Sequence, residues 1–236
     1  MGRMSVIHTE KILFVQRTCV LLPRSSSKNQ LYEALACERI EDARRLIASQ
    51  SEAYLVECFE GRNRCYKSCL HLIAAMSDTA EATKLCRELL QKIKNSKNRE
   101  ILLKMTTVDE IDIGGWRVNA CVAAIHIAAD SGNSGVVRLL CEEYGIDINS
   151  STSETLEGTA EIGTTPLDWA GRKGHAEVVR ALLDNKADVN SKRTDGVTPL
   201  LISALSGHAE VVKFLLGNKA NVNAKCTYAG ATSLYI

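Results

Sequence analysis

Aromatic side chains are scarce, at 5% of the 236 residues. Burial therefore has to come from Leu, Ile, Val and Ala, which suits thin layers of short helices better than one thick core. An excess of charge of one sign is also missing. The 29 basic and 28 acidic residues leave a formal net charge of +1, so no global field draws the chain toward nucleic acid or an anionic membrane. Long apolar runs are absent too: the stretch from Ile12 to Leu22 is broken by Arg17 and is too short to cross a bilayer. No small-residue cleavage site follows it, which argues against a secretory signal. Val6 stands where a myristoylation signal opening Met1-Gly2 needs Ser or Thr.

Nine cysteines run from Cys19 to Cys226 without a tight framework, in a chain long enough to need no disulfide staples. That pattern points to a reducing compartment, cytoplasmic with the nucleus left open. Residues 1–28 read as a basic tail, with Arg3, Lys11, Arg17, Arg24 and Lys28 against Glu10. A mitochondrial presequence shares this composition, but a plain basic tail accounts for it with fewer assumptions.

The sequence does contain an internal period. Thr165-Pro166-Leu167 returns as Thr198-Pro199-Leu200, Gly174-His175 as Gly207-His208, and Val189-Asn190 as Val222-Asn223, each pair 33 positions apart. One unit reads as a helix–turn–helix. Thr165 serves as N-cap, and Pro166 sits in the first helical position, where its missing N–H costs nothing. Gly174 ends the first helix in the left-handed region. Val178, Val179, Leu182 and Leu183 then place apolar rows on one face of a second helix, and Asp195-Gly196 marks the tip of the connecting finger.

These motifs closely resemble the ankyrin repeat: Thr-Pro-Leu-His, Gly-His, Val-Val, Leu-Leu and Asp-Val-Asn at the same period. The resemblance implies an all-α solenoid of stacked helix–turn–helix pairs with β-hairpin-like fingers, carrying insertions. It covers roughly residues 29–236. It places a helix pair at 31–47, repeats at about 66–91, 121–149, 163–190 and 196–223, a partial repeat at 230–236, and insertions at 92–120 and 150–162. Repeat 121–149 has Ala123-Ala124 in place of Thr-Pro, repeat 66–91 has Ser77-Asp78 in place of Gly-His, and Glu38 stands where the first pair expects glycine. The insertion at 92–120 has room for an extra helix. A chain that stops as an inner helix opens at Thr232-Ser233-Leu234 leaves the preceding repeat uncapped, and is expected to be a fragment or a truncated product.

Most of the apparent chemistry dissolves into this register. His71 and His126 fall in the Thr-Pro-Leu-His slot and His175 and His208 in the Gly-His slot, where the family uses them for hydrogen bonds between turns and helices. Cys58, Cys65, Cys69 and His71 have poor spacing for zinc. With no Gly-rich phosphate loop, nucleophile elbow or paired acids, no catalytic residue, metal, cofactor or small-molecule substrate is expected. The basic run Lys92, Lys94, Lys97, Arg99 and Lys104 lacks interleaved aromatics for stacking on bases and reads as a solvated face rather than a nucleic-acid or membrane site. Asn190 and Asn223 resemble asparagines that are hydroxylated in other ankyrin proteins; holding the finger turn is a sufficient role for both.

The resemblance implies a non-enzymatic interaction module, an adaptor, scaffold or inhibitor, that takes a protein partner on its concave face. The contact positions expected from the register are Asp130, Ser131, Arg172, Lys173, Leu205 and Ser206 on the inner helices, and Lys192, Thr194, Asp195 and Val197 on the fingers. Trp169 is added as an aromatic anchor beside Arg172, with packing against the neighbouring inner helix as its other reading. Two alternatives stand beside this: the targeting part of a longer enzyme or channel subunit, and a secreted bacterial effector acting on host proteins.

Overall fold

A computed structural model describes residues 27–56, 59–60, 66–77, 79–93, 96–104, 106–107, 111–113, 116–118, 122–152 and 163–226. They form twelve helices and six strands of two or three residues. Ten helices pair in chain order: α1 (Ser27–Ala36) with α2 (Ile40–Ser49), α4 (Cys69–Ala74) with α5 (Ala80–Lys92), α7 (Ala124–Ser131) with α8 (Ser134–Glu142), α9 (Pro166–Lys173) with α10 (Ala176–Asp184), and α11 (Pro199–Leu205) with α12 (Ala209–Gly217). The first members stack on one another in sequence order and so do the second, giving an inner and an outer layer of five helices each. One apolar core runs through them, from Leu31 and Leu35 through Leu70, Ile125 and Leu167 to Val211 and Leu215. The architecture is the helical ankyrin solenoid, with stability spread over neighbour-to-neighbour contacts rather than one central core.

Local chemistry sets where each inner helix starts. Thr165 accepts from the Asp168 N–H at 3.3 Å and donates its own N–H to Asp168 Oδ2 at 2.8 Å, closing a capping box. Ser68 and His71 close the equivalent box on α4, and Thr198 caps α11 through the Leu201 N–H at 3.3 Å. Ala123, which replaces threonine, makes no side-chain cap on α7. At the other end Gly132 and Gly174 take φ of 76° and 77°. Glu38 adopts φ 52° in the first pair despite its side chain, and its carboxylate accepts from the Ser77 N–H and hydroxyl at 3.3 Å. The second pair, which lacks the glycine, ends α4 without a left-handed residue: Ala75 stays at φ −79°.

The segment between α5 and α7 holds a helix, α6 (Ser96–Lys104), which packs on the short α3 (Glu52–Val56). Three antiparallel strand pairs accompany these helices: β1 (Phe59–Glu60) with β2 (Tyr66–Lys67), β3 (Thr106–Thr107) with β6 (Val122–Ala123), and β4 (Ile111–Ile113) with β5 (Trp116–Val118). Insertion 150–162 is closed at its base, where Thr152 donates to the Thr164 carbonyl at 3.1 Å and Gly163 to the Thr152 carbonyl at 3.0 Å. Residues 1–26, 153–162 and the partial repeat at 230–236 lie outside the described residues.

The outer helices are joined by ion pairs. Arg44 of α2 reaches Glu81 and Glu88 of α5, both at 2.8 Å, as well as Glu41 at 2.6 Å on its own helix. Arg87 of α5 meets Glu143 just beyond α8 at 2.8 Å, and Arg138 of α8 meets Asp184 of α10 at 3.8 Å. At the last junction Arg180 lies over the Phe214 ring, 4.8 Å from its centroid.

Candidate functional site

The repeats register on their N-caps, and each register position has one structural meaning. The fourth residue after the cap is Leu72, Ile127, Trp169 and Ile202 in successive repeats, at 7, 6, 9 and 7% exposure. Trp169 therefore takes the second of the two readings the sequence left open, packed against the neighbouring inner helix rather than standing exposed. It faces the preceding inner helix, edge-on to His126 with ring centroids 6.2 Å apart and planes at 70°. Aligning the four caps would have shown this, because every other occupant of the position is a core aliphatic.

Asp195, expected as a contact position, is not exposed at the finger tip either. It is buried in the finger, where its Oδ2 pairs with Arg193 at 2.8 Å and its Oδ1 accepts from the Val197 N–H at 3.0 Å. Arg193, which the sequence did not single out, is buried with it and shares the turn: its N–H donates to the Val197 carbonyl at 3.0 Å. An Arg-x-Asp-Gly string across a tight turn is the signal that was available.

The remaining positions separate by height on the array. Ser131, Lys173 and Ser206 share one register position at the ends of the inner helices, half-buried in the first case and exposed in the other two. One residue earlier come Asp130, Arg172 and Leu205. Asp130 is largely covered and ion-paired with Lys173 at 3.5 Å, Arg172 is half-buried, and Leu205 is 58% exposed. On the finger Lys192 and Thr194 are exposed and Val197 is half-buried. Arg172 and Lys192 add basic side chains to this side, where the Lys173 ammonium is shared with Asp130.

Beneath that surface the polar groups of the motifs serve the stack. His175 Nε2 donates to the Asp130 carbonyl and His208 Nε2 to the Arg172 carbonyl, each at 2.9 Å. In the third repeat Asn133 takes the same slot, donating from Nδ2 to the Met76 carbonyl at 3.3 Å while its Oδ1 caps the Val136 N–H at 3.1 Å. Asn149 Oδ1 accepts from the Asp188 N–H and Asn190 Oδ1 from the Asn221 N–H, both at 2.8 Å. His126 Nε2 donates to the Ser150 carbonyl at 3.0 Å, and burial pushes its pKa down to about 4. Burial pushes the Asp168 carboxyl the other way, up to about 6, against the two lowering hydrogen bonds from Thr165.

Burial raises the Cys86 thiol to about 12 and the Cys141 thiol to about 11, which leaves neither as a ready nucleophile. Cys69 and His71 are buried in α4, while Cys58 and Cys65 lie outside the described residues. Among the described residues no group of three or more His, Cys, Asp or Glu side chains is placed to hold a metal ion. No helix among them is long and apolar enough to cross a membrane.

The family model described as "Ankyrin repeats (3 copies)" matches residues 31–193 and 152–226. With most of the chain covered, the protein belongs to the ankyrin-repeat family, whose members are interaction modules and typically not enzymes. The chain is 31% identical over 117 residues to alpha-latrotoxin-Lhe1a of Latrodectus hesperus, spanning 47% of this chain and 7% of that protein. It is 34% identical over 96 residues to alpha-latrotoxin-Lt1a of Latrodectus tredecimguttatus, spanning 40% of this chain and 6% of the toxin. It is 27% identical over 115 residues to the putative ankyrin repeat protein FPV244 of fowlpox virus, 49% of this chain and 15% of that protein. The chain thus spans a small part of each of these relatives.

Proposed function

We propose that the chain is a non-enzymatic binding module that holds a protein partner on its concave face across the third to fifth repeats. The observation that carries this is the division of labour in the register. Apolar faces, histidines and asparagines are spent on neighbouring repeats, whereas Ser131, Lys173 and Ser206 recur at the repeat pitch, and Lys192 and Thr194 stand on one finger, with side chains only partly covered or open to solvent. Arg172, Lys173 and Lys192 favour an acidic contact on the partner. An adaptor, scaffold or inhibitor would all use this surface, and a cytoplasmic setting fits a chain whose described cysteines, Cys37, Cys69, Cys86, Cys141 and Cys226, form no disulfide with one another.

The test compares proteins captured by the immobilised full chain, by a Lys173→Glu/Lys192→Glu variant, and by a convex-side control, Glu177→Lys/Glu210→Lys, using quantitative mass spectrometry. Circular dichroism verifies that all three fold. Partners held by the native chain and the control but lost from the concave variant support the reading. Partners retained by the concave variant and lost from the control contradict it.

A further inference from the structure

Counted from the N-caps Ala123, Thr165 and Thr198, the end of each inner helix contributes two side chains to the partner-facing row. The eighth residue after the cap stays polar: Ser131, Lys173 and Ser206. The seventh changes character at every repeat, from Asp130 to Arg172 to Leu205. Asp130 is largely covered, and Lys173 reaches it across the junction at 3.5 Å. Arg172 is half-buried. Leu205 is 58% exposed, more than Ile101 or Leu216, the other large apolar side chains open to solvent among the described residues.

A row that keeps one polar side chain per repeat while its neighbour varies can read a bound chain in two ways at once. Hydroxyl and ammonium groups at a fixed pitch pair with main-chain carbonyls, which an extended segment leaves open and a helix has already spent on itself. Packed helices lie about 8–10 Å apart and an extended chain rises about 3.3 Å per residue, so adjacent repeats meet side chains about three residues apart. The charge of the row sets the first of those side chains. Arg172 and Lys173 outweigh Asp130, which suits the fourth repeat to a carboxylate. Leu205 sets the second, because an aliphatic side chain seated there removes both apolar surfaces from water.

We propose that this row binds an extended acidic segment of a protein partner, with an Asp or Glu carboxylate on the Arg172 guanidinium and an aliphatic side chain about three residues away on Leu205. This rests on the concave-face reading above and adds to it the chemistry and spacing of what is held. Ser131, Lys173 and Ser206 take the backbone of the segment, and Arg172 and Leu205 select its side chains. A helical partner, at about 1.5 Å of rise per residue, would meet the same two repeats with residues about six positions apart. It would also bring no open carbonyls to the polar row. The spacing of the two selected side chains therefore distinguishes an extended partner from a helical one.

The experiment selects phage-displayed random peptides on the immobilised full chain and on Arg172→Gln, Arg172→Glu and Leu205→Glu variants whose folding is verified by circular dichroism. The native chain is expected to enrich peptides in which Asp or Glu stands about three positions from Leu, Ile, Val or Met. Leu205→Glu removes the aliphatic preference and keeps the acid. Arg172→Gln removes the acid and keeps the aliphatic, and Arg172→Glu exchanges the acid for Lys or Arg. A synthetic peptide carrying the enriched pair, measured by fluorescence anisotropy, binds Leu205→Glu at least about tenfold more weakly than the native chain. No enrichment, an acid and an aliphatic about six positions apart, or enriched pairs unchanged by Leu205→Glu and Arg172→Gln overturns the proposal. Peptides that lack the pair yet lose binding to Lys173→Glu/Lys192→Glu overturn it while leaving the concave-face reading in place. Peptides and captured partners indifferent to every substitution on the concave face sink both.

Discussion

A methyl carbon on Gly174 would stand 2.4 Å from Nδ1 of His208, the imidazole that reaches across the junction to the Arg172 carbonyl. The glycine is held there by two independent demands, a φ of 77° and the ring of the following repeat. Gly207 meets only the first, since nothing described lies within 4 Å of its Cβ position. Gly207→Ala is expected to cost about 1 kcal/mol, the backbone strain alone. Gly174→Ala is expected to cost roughly 2–3 kcal/mol, because overpacking adds to that strain. His208→Ala placed on Gly174→Ala then costs less than the sum of the two changes. Urea unfolding of the native chain, Gly207→Ala, Gly174→Ala, His208→Ala and the Gly174→Ala/His208→Ala double variant measures this, and equal costs at Gly174 and Gly207 would contradict the interlock.

Trp169 stabilises the stack rather than the partner. Trp169→Ala is expected to destabilise by about 3–5 kcal/mol, as truncation of a buried aromatic does. Native emission should be blue-shifted relative to unfolded protein, because the indole is 9% exposed and packed edge-on to His126. Partner capture measured below the variant's unfolding transition should persist. Loss of capture with unchanged stability would restore Trp169 to the surface.

Two buried groups one repeat apart give opposite pH responses. His126 sits below its ordinary value, at about 4, so the unfolded chain binds its proton more tightly. Its contribution is complete above pH 6.5 and drains away as the pH falls toward 4. Asp168 sits above its ordinary value, at about 6, so the folded chain binds its proton more tightly. Its contribution grows as the pH falls from about 6 toward 3.8, and at pH 7 the buried carboxylate is a cost. Asp168→Asn is therefore expected to raise stability at pH 7 by on the order of 1–3 kcal/mol, a gain that vanishes near pH 4. His126→Gln is expected to gain relative to the native chain as the pH drops from 6.5 to 4. Urea unfolding at half-unit steps from pH 4 to 7 reads both, and a pH-independent difference for either variant would refute its assignment.

The helical solenoid was legible because its punctuation is local: a threonine cap, a proline, a glycine and paired aliphatics fix both helices of a repeat within one period. The helix α6 and its seat on α3 were not legible as a contact, since the two lie in separate connecting segments and neither carries the other's pattern. The candidate surface was legible in register but not in burial. Trp169 looked like an anchor by residue type, and only its equivalence to Leu72, Ile127 and Ile202 reveals that it points inward. Asp195 looked like a finger tip, yet its charge is consumed by Arg193 two residues before it. Asn133 supplying the histidine's cross-junction hydrogen bond was hidden for a simpler reason: an amide and an imidazole do the same job with different atoms.

Repeats held together mainly by their neighbours are expected to lose protection toward the last described repeat. Native-state hydrogen exchange on the full chain tests this most directly, comparing Val179 and Leu182 of α10, which is flanked on both sides, with Val212 and Leu216 of α12. The stacked account predicts exchange at least about tenfold slower at the α10 positions. Equal protection at the two helices, or slower exchange at Leu216, would contradict it.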